Sequence, residues 1–200
     1  MSRLMNNSQI KIMEEIFNNP GINLREIIRR TRLSPNYVSN HINLLTAKEV
    51  LREDKLEKNG RVYLRRFFIN FKSNLAKNIF MLVKEERKET FFEKYPELRP
   101  VFNQIIKEIK NIDFILVYGS YSRLAAEKDS DIDIMIVGKI KNNEKIREIL
   151  VSLNIEVSIN IETLDKFRKR FHDEFHQQII KGNILVYDSG KFIDLISELI

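Results

Sequence analysis

The chain has 200 residues, 43% hydrophobic and 31% charged, enough for one large or two small globular domains. No apolar run approaches the roughly 20 residues that span a bilayer, and the first residues lack an apolar signal stretch, so a cytoplasmic protein without a membrane partner is expected; with no cysteine, disulfides, zinc ribbons and thiol nucleophiles are excluded. The formal net charge of +6 is unevenly divided, with 14 Lys+Arg against 7 Asp+Glu in residues 1–72 and 20 against 21 in residues 73–200, so the polyanion-binding signature lies in the N-terminal third.

Ile10, Met13, Ile16 and Phe17 recur at helical spacing, and Asn19-Pro20-Gly21 stops that helix. Asn23 is placed to cap a second helix, with Glu26 three residues on to complete a capping box and Leu24, Ile27 and Ile28 facing inward. Ser34 then caps a third helix, with Pro35 at its first position. Val38, Ile42 and Leu45 share one face of that helix. Asn36, Asn40 and Asn43 share the opposite one, with Tyr37, Ser39 and His41 beside them. Asparagine is a poor helix former, but its amide both donates to and accepts from an adenine edge in the major groove. Val50-Leu51-Arg52 reads as a strand, Asn59-Gly60 as a hairpin turn, and Arg61–Phe67 as the returning strand.

This order of three helices and a basic hairpin over about residues 8–70 resembles the winged helix-turn-helix family. The resemblance implies a third helix in the major groove of duplex DNA, presenting Asn36, Tyr37, Asn40, His41 and Asn43. It also implies a wing whose Arg61, Arg65 and Arg66 touch backbone or minor groove. The domain is assigned to residues 1–72. Residues 73–96 form a helical connector in which Leu75, Ile79, Leu82 and Val83, continued by Phe91, Phe92 and Tyr95, make a packing stripe against the second domain or a twin subunit. A homodimer is therefore expected. Tyr95-Pro96 marks the boundary, with a helix following over roughly 97–110.

In residues 97–200, Asp113–Tyr118 is a buried strand ending in Gly119-Ser120, followed by a short helical stretch, Tyr121–Ala126, and a second strand, Asp131–Val137. Asp131 and Asp133, two residues apart, project from one face while Ile132, Ile134 and Ile136 pack on the other. Two close carboxylates repel, and divalent cations remove that objection: the pair can hold two Mg2+ ions, with Mn2+ as the substitute. Gly119 lets the backbone approach a triphosphate, and Ser120 donates to its oxygens.

Gly119-Ser120-Tyr121-Ser122-Arg123 followed by Ser130-Asp131-Ile132-Asp133 resembles the signature of the polymerase beta-like nucleotidyltransferase superfamily, in its minimal nucleotidyltransferase branch. The resemblance implies an α/β fold of the α+β kind, a small mixed sheet flanked by helices. It implies metal on Asp131 and Asp133, and triphosphate on Gly119, Ser120 and Arg123. A third carboxylate from a neighbouring strand is also implied. Its candidate is Glu156 in Ile155–Ile161, where the family usually has aspartate, as a metal ligand, an acceptor-activating group or simply an exposed strand residue. Leu124 stands where the family commonly has glycine. The reading that follows is transfer of AMP from ATP to a hydroxyl, with DNA-binding autoregulation. Some members are antitoxins that adenylylate a small helical HEPN partner, which makes a protein acceptor an expectation here. The alternative is a DNA-binding regulator whose second domain senses nucleotide without turnover. The tail reads as a helix from Phe171 to a Gly182 cap and a strand, Asn183–Tyr187; His172 and His176, four apart with no third ligand, are expected on a polar helix face.

Overall fold

The computed structural model describes residues 4–127, 129–153 and 155–200, all but the side chain of Lys58. These form two compact units, the first ending at Glu86 and the second spanning Arg87–Ile200.

The first unit contains α1 (Asn7–Asn18), β1 (Ile22–Asn23), α2 (Leu24–Thr31), α3 (Pro35–Ala47), β2 (Leu51–Lys58) and β3 (Arg61–Ile69). Each helix starts on a residue that suits it. The Asn6 side chain caps α1 within a capping box, Asn23 accepts the Glu26 N–H at 3.0 Å, and Ser34 accepts the Tyr37 N–H ahead of Pro35. Glu26 turns to Arg29 at 3.2 Å instead of closing a second box. The inward face of α3 is Val38, Ile42 and Leu45, all buried. The three strands form an antiparallel sheet in the order β1-β3-β2. Asn59 and Gly60 both have positive φ, 53° and 71°, as the two-residue hairpin turn between twisted strands requires. β2 runs six residues beyond the expected Val50–Arg52, with part of its charge paired within the sheet: Glu53 takes the Arg65 guanidinium of β3, and Asp54 pairs with Arg52 at 2.9 Å.

α4 (Asn74–Lys94) passes through the division between the units. Its buried face in the first unit is Ala76, Phe80 and Val83, while Leu75 is exposed, so the expected stripe is displaced by one residue at its start. The displacement follows from Phe80, whose ring lies 4.5 Å from that of Phe17 and fixes the helix rotation.

The second unit continues with α5 (Leu98–Glu108), β4 (Ile112–Tyr118), α6 (Gly119–Ser122), β5 (Ile132–Gly138), α7 (Asn143–Val151), β6 (Val157–Glu162), α8 (Leu164–Lys169), α9 (Glu174–Lys181), β7 (Ile184–Tyr187) and α10 (Ser189–Leu199). Its mixed sheet has the order β6-β5-β4-β7, antiparallel except for the β5–β6 pair. One face, with Ile115, Val117, Ile132, Ile134 and Ile136, packs in a single core with Phe91, Leu98, Phe102, Ile105 and Ile146. On the other face Phe114 meets Phe167 of α8 and Phe192 of α10 edge-on, at 5.3 and 5.4 Å. Burying each such ring contributes about 1.5–3 kcal/mol.

Two expectations fail in this unit. The helical stretch after β4 begins at Gly119 and ends at Ser122, because the buried Ser122 hydroxyl donates to the Gly119 and Gly182 carbonyls and ties the turn down. The tail helix begins at Glu174, not Phe171. Asp173 N–H donates to the Arg170 carbonyl at 2.9 Å and their side chains pair, closing a turn between α8 and α9.

Candidate active site and nucleic-acid interface

The end of β4 and the start of β5 meet at one edge of the second sheet, where Tyr118 is the cross-strand partner of Asp133. The chain then reverses through Gly119 at φ +70°. A Cβ there would lie 2.1 Å from Asp133 Oδ2, so only glycine lets the backbone sit against this carboxylate. Asp133 is half-buried and Asp131 exposed. Burial and the Asp131 charge push the Asp133 carboxyl up, while a hydrogen bond from Ser158 and the nearby Arg123 charge pull it down; the net direction is upward. Ser120 is half-buried on α6, and Arg123 is exposed at its end. Leu124 takes φ 57°, the left-handed conformation that glycine adopts at no steric cost, and its side chain packs against the core.

Glu156 stands level with Asp131, one residue before the paired stretch of β5 and β6, but does not complete a cage of three carboxylates with the aspartates. The parallel β5–β6 register sets Ser158, not Glu156, opposite Asp133. Glu156 lies ahead of β6, exposed, with its carbonyl accepting the Ile132 N–H at 2.9 Å. Among the described residues no group of three or more His, Asp or Glu side chains comes together as a metal cage. The two aspartates still suit a hard divalent cation, which is commonly held by one or two carboxylates with the rest of its shell from water and substrate phosphate. The upward push on Asp133 comes first from burial and then from the Asp131 charge, and the second part is a repulsion that such an ion relieves.

Three residues with no motif of their own also converge here. Asn160, exposed on β6, donates to the Tyr118 hydroxyl at 2.7 Å, and the Tyr118 ring meets Phe175 of α9 at 6.1 Å and 90°. The Tyr118 phenol is pushed up, first by burial and further by both aspartates, so it keeps its proton. His176 corrects the expected polar helix face. It is fully buried, with Nε2 2.6 Å from Glu162 Oε1 and its ring edge-on to Phe167 and Phe175. His172 lies outside α9 in the preceding turn and is exposed, so the two histidines share no helix face.

In the first unit Asn36, Tyr37, Asn40 and Asn43 are exposed along α3. His41 is half-buried and stacked on Tyr37, its pKa lowered by burial, so it is neutral at neutral pH. Arg61 is exposed at the hairpin tip. Arg65 is engaged within the unit: its guanidinium pairs with Glu53 through two hydrogen bonds and donates to Asn43 Oδ1 at 3.3 Å, tying β2, β3 and α3 together. Arg66 is half-buried opposite Asp54. The expected DNA-facing set is therefore split, with α3 and Arg61 presented to solvent, Arg65 drawn into a charge pair with Glu53, and Arg66 half-buried in the sheet.

Comparison with known proteins gives a match for each unit. Residues 102–191 match the family model of polymerase beta nucleotidyltransferases, and residues 5–52 match that of winged helix-turn-helix DNA-binding domains. A chain of Methanocaldococcus jannaschii named as a protein adenylyltransferase is 28% identical over 76 residues, covering 36% of this chain and 76% of that one. Among solved structures, the adhesin competence repressor of Streptococcus pyogenes overlays with a TM-score of 0.32 and 17% identity, over 53% of this chain and 67% of its own.

Proposed function

We propose, for a chain that carries a polymerase beta-type nucleotidyltransferase domain behind a winged helix-turn-helix DNA-binding domain, that the second unit transfers AMP from ATP to a hydroxyl, in a Mg2+-dependent reaction. The observation that carries the reading is the closeness of Gly119 to Asp133, where a Cβ would fall 2.1 Å from the carboxylate. A backbone turn held against a paired carboxylate brings main-chain N–H groups and a metal-binding edge within reach of one triphosphate. In the reaction the acceptor oxygen bonds to the α-phosphorus and the bond to pyrophosphate breaks. The chemistry supplied by bound Mg2+, or Mn2+ in its place, is neutralisation of the triphosphate and a lowered pKa of the acceptor hydroxyl. Asp131 and Asp133 would hold it, while Gly119, Ser120 and Arg123 orient the triphosphate.

The acceptor we favour is a protein hydroxyl, on the strength of the archaeal relative's name; a HEPN-type helical partner of an antitoxin remains the model for it. The first unit would bind duplex DNA, including the protein's own promoter. A second reading has a specific observation behind it. The position facing Asp133 is Ser158 and no third carboxylate joins the pair among the described residues, which favours a regulator that binds nucleotide without turning it over.

The test is transfer of labelled AMP from ATP to a co-encoded partner or to the chain itself, in Mg2+. The native protein is expected to label an acceptor. Asp131→Asn, Asp133→Asn and Gly119→Ala are each expected to lose on the order of 10²-fold or more. Tight ATP binding without any transfer by the native protein moves the conclusion to the sensor.

A further inference from the structure

Tyr118, Asn160 and Phe175 come from β4, β6 and α9 and meet on the face of the sheet that carries Asp133. Phe175 is 42% exposed, on a helix whose neighbouring His176 is fully buried. It is held there from beneath. His176 is anchored to Glu162 at 2.6 Å, and Lys166 and Arg170 lie 3.7 and 4.0 Å from the other Glu162 oxygen, which fixes the rotation of α9. Phe175 then stands perpendicular to the Tyr118 ring, making a corner with one aromatic wall and one aromatic floor.

Asn160 lies at the rim of that corner. One amide hydrogen is committed to the Tyr118 oxygen at 2.7 Å. The amide keeps a second hydrogen and its carbonyl oxygen, a donor and an acceptor side by side. That pair complements the edge of adenine, which offers a ring nitrogen acceptor beside an exocyclic amino donor. Tyr118 is the cross-strand partner of Asp133, and Asn160 is two residues along β6 from Ser158, the other partner of Asp133, so the corner runs from beside the carboxylate to roughly 7 Å along the strand.

We propose that Phe175, Tyr118 and Asn160 form the nucleobase subsite of this domain, with the base stacked on Phe175 and its adenine edge read by Asn160. The inference rests on the nucleotidyltransferase reading and names the part of the substrate that reading leaves open. Phe175 binds by stacking, Asn160 selects the base, and the buried His176–Glu162 bond is a positioning device for Phe175.

The test uses two ligands in Mg2+, ATP and inorganic tripolyphosphate, which carries the same phosphates and no base. The chain has no tryptophan, so Phe175→Trp provides a single fluorescent reporter at the corner while keeping an aromatic face. Its emission is expected to be quenched by ATP and unchanged by tripolyphosphate. In calorimetry, Phe175→Ala is expected to weaken ATP about tenfold or more and to leave tripolyphosphate unchanged. Phe175→Trp, which keeps an aromatic face, is expected to bind ATP more tightly than Phe175→Ala, and Asn160→Ala to reduce the preference for ATP over GTP. Parallel loss of ATP and tripolyphosphate in Phe175→Ala would show a structural role and overturn the subsite. So would ATP affinity that is unchanged in Phe175→Ala, or a native protein that binds both ligands equally. A native protein that binds neither ligand overturns the nucleotidyltransferase reading itself.

Discussion

Asp133 is held half out of water beside Asp131, and its carboxyl titrates above the ordinary aspartate value. A group whose folded-state pKa is raised gives stability that is fully present below the unfolded value and is lost as pH rises through the folded one. At neutral pH the ionised carboxylate therefore works against the fold. Asp133→Asn is expected to raise Tm at pH 7, with the gain disappearing in acid below the ordinary aspartate value of about 3.9. Mg2+ should raise Tm in the native chain and not in the variant. Scanning calorimetry at both pH values decides it, and a Tm at pH 7 that falls on substitution speaks against the strained pair. The residue opposite is equally informative about what a sequence conceals. Glu156, Ser158 and Asn160 alternate along one strand face, so alternation alone cannot say which of them meets Asp133. A search for a third carboxylate selects Glu156; the interstrand register selects Ser158. The His176–Glu162 pair was hidden for a different reason. Its members are 14 residues apart on a helix and a strand, and no local spacing joins them.

The elements that were legible in the chain are those specified by local chemistry. Ser34-Pro35 starts α3, Val38, Ile42 and Leu45 set its inner face, and Asn59-Gly60 turns the wing. β1 and most of β2 were not, since two residues carry no period and Leu51–Lys58 is too charged to resemble a half-buried strand. The same charges alter what the wing does. Arg65 satisfies Glu53 and Asn43 inside the unit, whereas Arg61 stands at the tip. Arg61→Ala is expected to weaken duplex binding on all sequences and to reduce the salt slope by about one. Asn40→Ala should instead cost roughly 1–3 kcal/mol at one base position. Arg65→Ala should act mainly through the fold, lowering Tm and leaving the salt slope near its native value. Gel shifts and fluorescence anisotropy across a salt series separate the three; a full unit of slope lost with Arg65 would return it to the DNA-facing set.

Over the whole molecule the charge is partitioned as the two domain matches are. The excess of Lys+Arg lies in residues 1–72 with the winged helix-turn-helix domain, and residues 73–200 are close to neutral. On the proposed reading, a nearly neutral second unit leaves attraction of a triphosphate to a few groups near the Gly119 turn and to the cation it would bring. Within that domain β4 and β5 each have a neighbour on both sides, whereas β6 is an outer strand bonded to β5 alone. Outer strands with few covered amides open by local fluctuation at a lower free energy than central ones. Amide hydrogens of Val157–Glu162 are accordingly expected to exchange with deuterium well before those of Phe114–Val117 and Ile134–Val137. ATP with Mg2+ should slow exchange most in β6, because Ser158 and Asn160 face the site from that strand. Uniform protection across the sheet would contradict this. The strand that carries the proposed base-reading residue is then also the part of the sheet that breathes, and occupancy of the site becomes readable as the lifetime of its closed amides.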